Sequence, residues 1–256
     1  MDLQLTDRVA FVAGSSRGIG RAIASTLLQE GCRVCISGRD DLLVSRAVKE
    51  LQSKFGDKVF GIPGDMTNAA VIEAGFSSVN RTWGSLDILV ANLGSGRGEV
   101  GWQQERQEWE RLFEVNFFGS VRLAQAAIPY LQSRRGSILF IGSIVGVEAT
   151  PAPLPYSAAK AALINYSKNL SRAVAQYGIR VNCLAPGNIF FPGGSWERNV
   201  NARKEEVERM IATEVPQQRF GTVEEIAQFA AYLVSPQSQF ATGGCFIMDG
   251  GQTRRI

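Results

Sequence analysis

The chain has 256 residues, of which 45% are hydrophobic and 20% charged, with a formal net charge of +3 and no histidine. That length suits one large α/β domain, and so mild a charge, with no basic stripe among aromatics, argues against nucleic acid as a partner. Without histidine there is no Ser-His-Asp or Cys-His machinery and no histidine-ligated metal. Acid-base work therefore falls to Tyr, Lys, Asp, Glu or a thiol, and no metal site is expected.

In chain order, the first eight residues, Met1 to Arg8, lack the basic and apolar regions of a signal peptide. No run approaches the roughly 18–20 apolar residues of a membrane span, so a cytoplasmic location without a membrane partner is expected. An apolar run at 8–13 reads as a strand. It leads into Gly14-Ser15-Ser16-Arg17-Gly18-Ile19-Gly20 and a helical pattern at 18–30. Three glycines between a first strand and a first helix allow a tight turn, close backbone approach to a pyrophosphate and close packing of helix on strand. The helix N-terminus then faces the anion.

The second strand, 33–37, carries Cys35 and follows Cys32. This C-x-x-C reads as structure, because positions i and i+3 of a strand point to opposite faces. About 18 residues past Gly20, where a dinucleotide site places an acid for the ribose 2′-hydroxyl, the chain has Gly38 followed by Arg39. Arg39 and Arg17 offer permanent, fork-shaped donors that suit a 2′-phosphate. This favours NADP(H) over NAD(H), with Asp40 and Asp41 as competitors for Arg39. A helical pattern at 42–55 and a strand at 58–62 follow, then Gly64-Asp65-Met66-Thr67. A fourth strand, 86–92, ends in Asn92-Leu93-Gly94.

A helix is expected at 109–132, with Asn116 inside it although Asn is a mediocre helix former. After the strand at 137–141 comes Ser143. Tyr156 and Lys160 open a helix at 157–177, and their i, i+4 spacing puts phenol and ammonium on one face. Such an ammonium is expected to lower the phenol from its ordinary value of about 10. The sixth strand, 180–184, leads to Pro186-Gly187 and the least regular stretch, 187–214, whose glycines and aromatics suit a mobile lid. Trp102, Phe190, Phe191 and Trp196 point to a partly apolar substrate. The last strand is 245–248. Strands alternating with helices imply a doubly wound parallel sheet of seven strands in one Rossmann domain, 1–256, with helices on both faces.

The turn G-x-x-x-G-x-G, the Asn92-Leu93-Gly94 segment and the set Asn116, Ser143, Tyr156 and Lys160 resemble the short-chain dehydrogenase/reductase family. Ala13 stands where the family has Thr, and Ala91 and Leu93 depart from its N-N-A-G. The resemblance implies a carbonyl or secondary-alcohol oxidoreductase, like a 3-oxoacyl reductase or a small-ketone reductase. In it Tyr156 gives the proton, Ser143 binds the carbonyl, and Asn116 holds a water that relays protons to Lys160. It also implies nicotinamide contacts at Ser16, Ile19, Asp65, Met66, Asn92, Gly94, Tyr156, Lys160, Pro186, Gly187 and Ile189, although Asp65 alone also reads as a turn residue. Relatives that reduce acyl-carrier thioesters grip the carrier with two basic residues, of which one matches Arg134 and the other aligns with Tyr177. A homotetramer is expected by the same resemblance. The alternative is a catalytically idle NADP-binding regulatory protein of the same fold.

Overall fold

A computed structural model describes residues 1–254. Its strands are β1 (Val9–Ala13), β2 (Arg33–Gly38), β3 (Val59–Pro63), β4 (Ile88–Ala91), β5 (Ser137–Ile141), β6 (Arg180–Pro186) and β7 (Cys245–Met248). They form one parallel seven-stranded sheet in the order β3-β2-β1-β4-β5-β6-β7. The apolar runs are continuous because both faces are covered. Along β1, Ala10 and Val12 face one way, toward Ile23, Leu27 and Ala227, whereas Val9, Phe11 and Ala13 face Phe76, Leu123 and Ala127.

Helices α1 (Gly18–Gln29), α2 (Asp41–Phe55) and α8 (Val223–Val234) cover the first face. Helices α3 (Ala69–Trp83), α5 (Gly119–Gln132) and α6 (Leu154–Val174) cover the second. Cys32 and Cys35 lie in opposite layers, as strand alternation requires. The chain leaves β1 toward β2 and β3 and returns to β4 on the other side of β1. That reversal opens a crevice beyond the carboxyl ends of β1 and β4, where doubly wound sheets take ligands.

The expected helix at 109–132 starts earlier, as α4 (Arg106–Phe113), and runs through a π-helical turn, Glu114–Phe118, into α5. The stretch 187–214 is more regular than its glycines imply, since residues Ser195–Glu214 form α7, broken at Arg203 with φ −155° and ψ 61°. Val207 and Ile211, after the break, share one face at helical spacing and pack with Trp196, Val200, Val215 and Phe220 in a separate small cluster. The charged residues between them mask that pattern in the sequence. Among the described residues no helix is long and apolar enough to cross a membrane.

Candidate active site

The turn after β1 is built by contacts that exclude side chains. Gly14 has φ +63°, and a Cβ there would stand 2.5 Å from the Asn92 carbonyl oxygen. A Cβ on Gly20 would stand 2.4 Å from the Gly14 carbonyl oxygen and 2.5 Å from Asn92 Nδ2. Asn92 Nδ2 donates to the Gly14 carbonyl at 2.8 Å, so the end of β4 holds the turn. On its other side Ser15 Oγ accepts from the Ser37 amide at 3.0 Å. α1 begins at Gly18, and Arg17 at its N-cap gives no side-chain cap. The first-turn amides are thus left to an anion.

At Gly38 a Cβ would meet Ser16 Oγ at 2.9 Å and Val44 Cγ2 at 3.1 Å, so an acid has no ready place there. Arg39 is exposed beside it. Asp40 caps α2 by accepting from the Leu43 amide, and Asp41 accepts from Ser45 Oγ, which engages both carboxylates within their own helix. Arg17 does not join Arg39: its Nη1 donates to the Gly193 carbonyl at 3.2 Å. The Phe191 ring rests on Gly18, 2.6 Å from where a Cβ would be. The segment after β6 is therefore fastened over the glycine turn by Phe191 and Arg17. Asp65 Oδ1 accepts from both the amide and the hydroxyl of Thr67, each at 2.9 Å, which makes it a turn residue with an exposed carboxylate. The Met66 side chain lies in the core with Phe76, which leaves only its backbone toward the crevice.

Tyr156 sits in the first turn of α6 and Lys160 one turn later. Ser143 follows β5 and accepts the Val145 amide to cap a 3-10 turn, Ile144–Gly146. Gly146 lets that turn press on α6, since a Cβ would stand 2.6 Å from the Lys160 carbonyl carbon and 2.7 Å from the Ala161 nitrogen. This approach sets the Ser143 hydroxyl near the Tyr156 phenol, where it favours the charged form of the phenol. Lys160 is 3% exposed, and its Nζ donates to the carbonyls of Ile141 at 2.8 Å and Leu93 at 3.3 Å. Gly94 lies between Asn116 and this ammonium, a Cβ there being 3.0 Å from Asn116 Oδ1 and 3.1 Å from Lys160 Nζ.

One expectation about this set changes. Burial raises the Tyr156 phenol above its ordinary value, and Ser143 opposes this in part. Lys160 does not lower it, because its Nζ is turned to the two carbonyls. Burial lowers Lys160 itself to about 8. Asn116, in the π turn, is also engaged. Its Nδ2 donates to the Leu112 and Ser95 carbonyls at 2.9 and 3.0 Å, and its Oδ1 accepts the Ser95 amide at 3.0 Å. The side chain thus holds the 94–96 loop, and Gly96 of that loop faces the Tyr156 ring, a Cβ there standing 3.3 Å from Cε1.

Ser95, Gly96 and Gly146 escape sequence reading, the glycine-rich 94–98 run being the one signal for the first two. Pro186 ends β6, and the Gly187 amide donates to the Met248 carbonyl at 2.9 Å. Ile189 pairs with Gly221 and is buried. The four aromatics do not converge: Trp102 is 81% exposed, Phe190 and Trp196 pack on Phe220, and Phe191 covers Gly18. Arg134 donates to buried Asp87 at 3.0 Å, at the amino edge of the sheet, opposite the Tyr156 edge.

A family model described as enoyl-(acyl carrier protein) reductase matches residues 13–253. The chain is 34% identical to 2-(S)-hydroxypropyl-CoM dehydrogenase 3 of Xanthobacter autotrophicus, over 99% of both chains. It is 33% identical to the 3-oxoacyl-(acyl-carrier-protein) reductase of Chlamydia muridarum, over 98% of this chain and 99% of that one. Among solved structures, L-sorbose reductase of Gluconobacter frateurii, complexed with NADPH and L-sorbose, superposes with a TM-score of 0.93 at 30% identity and full coverage of both chains. With the parallel sheet and the glycine turn, these likenesses establish that the chain belongs to the short-chain dehydrogenase/reductase family of carbonyl and alcohol oxidoreductases.

Proposed function

We propose that the chain is an NADP(H)-dependent oxidoreductase that interconverts a carbonyl and a secondary alcohol, with Tyr156 as the proton donor in reduction. The observation that carries this reading is the placement of Tyr156 in the first turn of α6, one turn before buried Lys160, with the Ser143 turn pressed on that helix through Gly146 at the carboxyl edge of the sheet. The residues fit a dinucleotide: Gly14, Gly18 and Gly20 form a turn without room for side chains, and α1 offers its uncapped amides. Arg39 stands free of the Asp40 and Asp41 carboxylates, beside a Gly38 whose Cβ position is taken by Ser16.

The nicotinamide, when bound, supplies the hydride. Ser143 and Tyr156 donate hydrogen bonds to the substrate oxygen and so orient the carbonyl. A phenol raised by burial stays protonated at neutral pH and is ready to hand its proton to that oxygen as charge develops. Lys160 keeps the wall of the crevice in place through Leu93 and Ile141. Asn116 positions the loop that lies on the phenol ring. The 187–214 stretch acts as the lid of a single domain, lifting Phe191 from Gly18 to admit a pyrophosphate. Exposed Trp109 and Phe118 support burial of this surface in a homotetramer.

Small ketones and acyl thioesters are the substrate class of this reading. A carrier-protein partner is less favoured, because Arg134 is tied to Asp87 and Tyr177 is not basic. The test is an absorbance assay of NADPH oxidation over ketones, keto sugars, 3-oxoacyl thioesters and steroids, repeated with NADH. Turnover with NADPH is expected to exceed that with NADH by about tenfold, the worth of one charge-assisted contact. Protein that binds NADPH yet oxidises it with no carbonyl would instead be an idle nucleotide-binding regulator.

A further inference from the structure

Cys183 on β6 and Cys245 on β7 are direct partners in the parallel register. Paired positions put both side chains on the same face of the sheet, on strands about 4.8 Å apart. That spacing falls inside the Cα separation of roughly 4.4–6.8 Å that a disulfide needs. The two thiols lie close enough to shift each other's titration in opposite directions. Cys183 is buried at 1% exposure, whereas Cys245 is open to solvent. The Cys183 sulfur lies under Gly142, where a Cβ would be 2.8 Å away, next to the Ser143 turn. The other two cysteines offer no such pair: Cys32 and Cys35 are fully buried in opposite layers.

The geometry points to Cys183 and Cys245 as a peroxide-oxidisable dithiol, a modification site in which Cys245 reacts first and Cys183 then closes a disulfide between β6 and β7. The oxidant is a hydroperoxide. The Cys245 thiolate attacks one peroxide oxygen, the O–O bond breaks, and the departing hydroxide takes up the thiol's proton as water. The Cys183 sulfur, losing its own proton, then attacks the Cys245 sulfur. The S–S bond forms, the S–O bond breaks, and the oxygen leaves as a second water. Two thiols are oxidised and one peroxide is reduced.

The division of labour follows from exposure, Cys245 being open to solvent and Cys183 buried, and from the influence of each thiol on the other. Cys183 pulls the Cys245 thiol below its ordinary value although burial acts the other way. Cys245 and burial push Cys183 well above its ordinary value. The exposed sulfur is therefore the one that reaches the thiolate form, which is the nucleophile, and the buried sulfur is the resolving partner. Cys32, pushed up to about 12 by burial, stays a thiol throughout.

The test treats native full-length protein with a slight excess of hydrogen peroxide, then counts alkylatable thiols after denaturation. All four cysteines start free; half of the alkylatable thiols are expected to disappear and to return with dithiothreitol, and peptide mapping is expected to join Cys183 to Cys245 within one chain. In Cys183→Ser, Cys245 is expected to accumulate as a sulfenic acid that dimedone captures, and Cys245→Ser is expected to keep all its thiols. Undiminished thiols in the treated wild type, a crosslink between chains, or Cys245 over-oxidised with Cys183 still free would each overturn the proposal.

Discussion

Lys160 shows how far a single side chain carries both fold and chemistry. Its ammonium is buried with two backbone carbonyls as partners and no carboxylate. Burial, opposed in part by Cys183, takes it from 10.5 to about 8, a fall that corresponds to about 3 kcal/mol at most. Below pH 8 the lysine is charged in both folded and unfolded chains, and the folded state bears the whole desolvation cost. Between about pH 8 and 10.5 the unfolded chain holds the proton and the folded one releases it, so stability rises with pH across that window. Measured as urea unfolding, the wild type is expected to gain on Lys160→Met by about 3 kcal/mol from pH 8 to 10.5. A flat difference would mean that Lys160 is solvated. Arg39 makes the complementary point at the surface. Arg39→Ala is expected to weaken NADPH binding by about tenfold and leave NADH unaffected, as titration calorimetry would show. The positions of Tyr156, Lys160, Ser143 and Asn116 were legible from spacing and resemblance. Their partners were not, because Ser95, Leu93 and Ile141 act through backbone groups that any residue type carries.

At the scale of elements, the site depends on how closely segments approach. The turn after β5 meets α6 at Gly146 with no space for a methyl group. Gly146→Ala forces the Ser143 turn off the helix, at a cost of about 1–3 kcal/mol for an overpacked site. It is expected to lower both the melting temperature and the turnover number. An alanine variant as active as wild type would show that the Ser143–Tyr156 contact forms without this approach. The strands were readable because continuous apolar runs bounded by Gly and charged residues admit one interpretation in an alternating chain, and all seven fall within two residues of expectation at either end. β4 is trimmed at both ends, to Ile88–Ala91, and just before it the Asp87 carboxylate receives the Val9 amide. The π turn at Glu114–Phe118 left no mark in the sequence beyond Asn116, since one extra residue per turn does not disturb the apolar pattern. π turns recur at functional sites, and here the turn aims the Asn116 amide at Ser95. α7 was hidden for a different reason: its helix rests on a small cluster of its own, so its apolar face is sparse among charges.

Across the whole molecule, the two edges of the sheet divide the work. The amino edge holds Asp87, 3% exposed, which accepts from Arg8, Arg134 and the Val9 amide and thereby ties β1 and the end of α5 to the approach of β4. Removing one partner of a buried pair leaves the rest uncompensated. Asp87→Ala is expected to cost about 3–5 kcal/mol of folding stability, read from chemical unfolding, while turnover at a permissive temperature stays near wild type. The carboxyl edge gathers the glycine turn, the phenol, the ammonium and the segment that lies over them. Its central claim is that the Tyr156 phenol protonates the substrate oxygen, and the most direct measurement compares turnover and NADPH affinity in Tyr156→Phe. The expected result is unchanged NADPH affinity with turnover lowered by about a hundredfold or more. A phenylalanine variant that turns over like wild type would contradict it and move the proton source elsewhere.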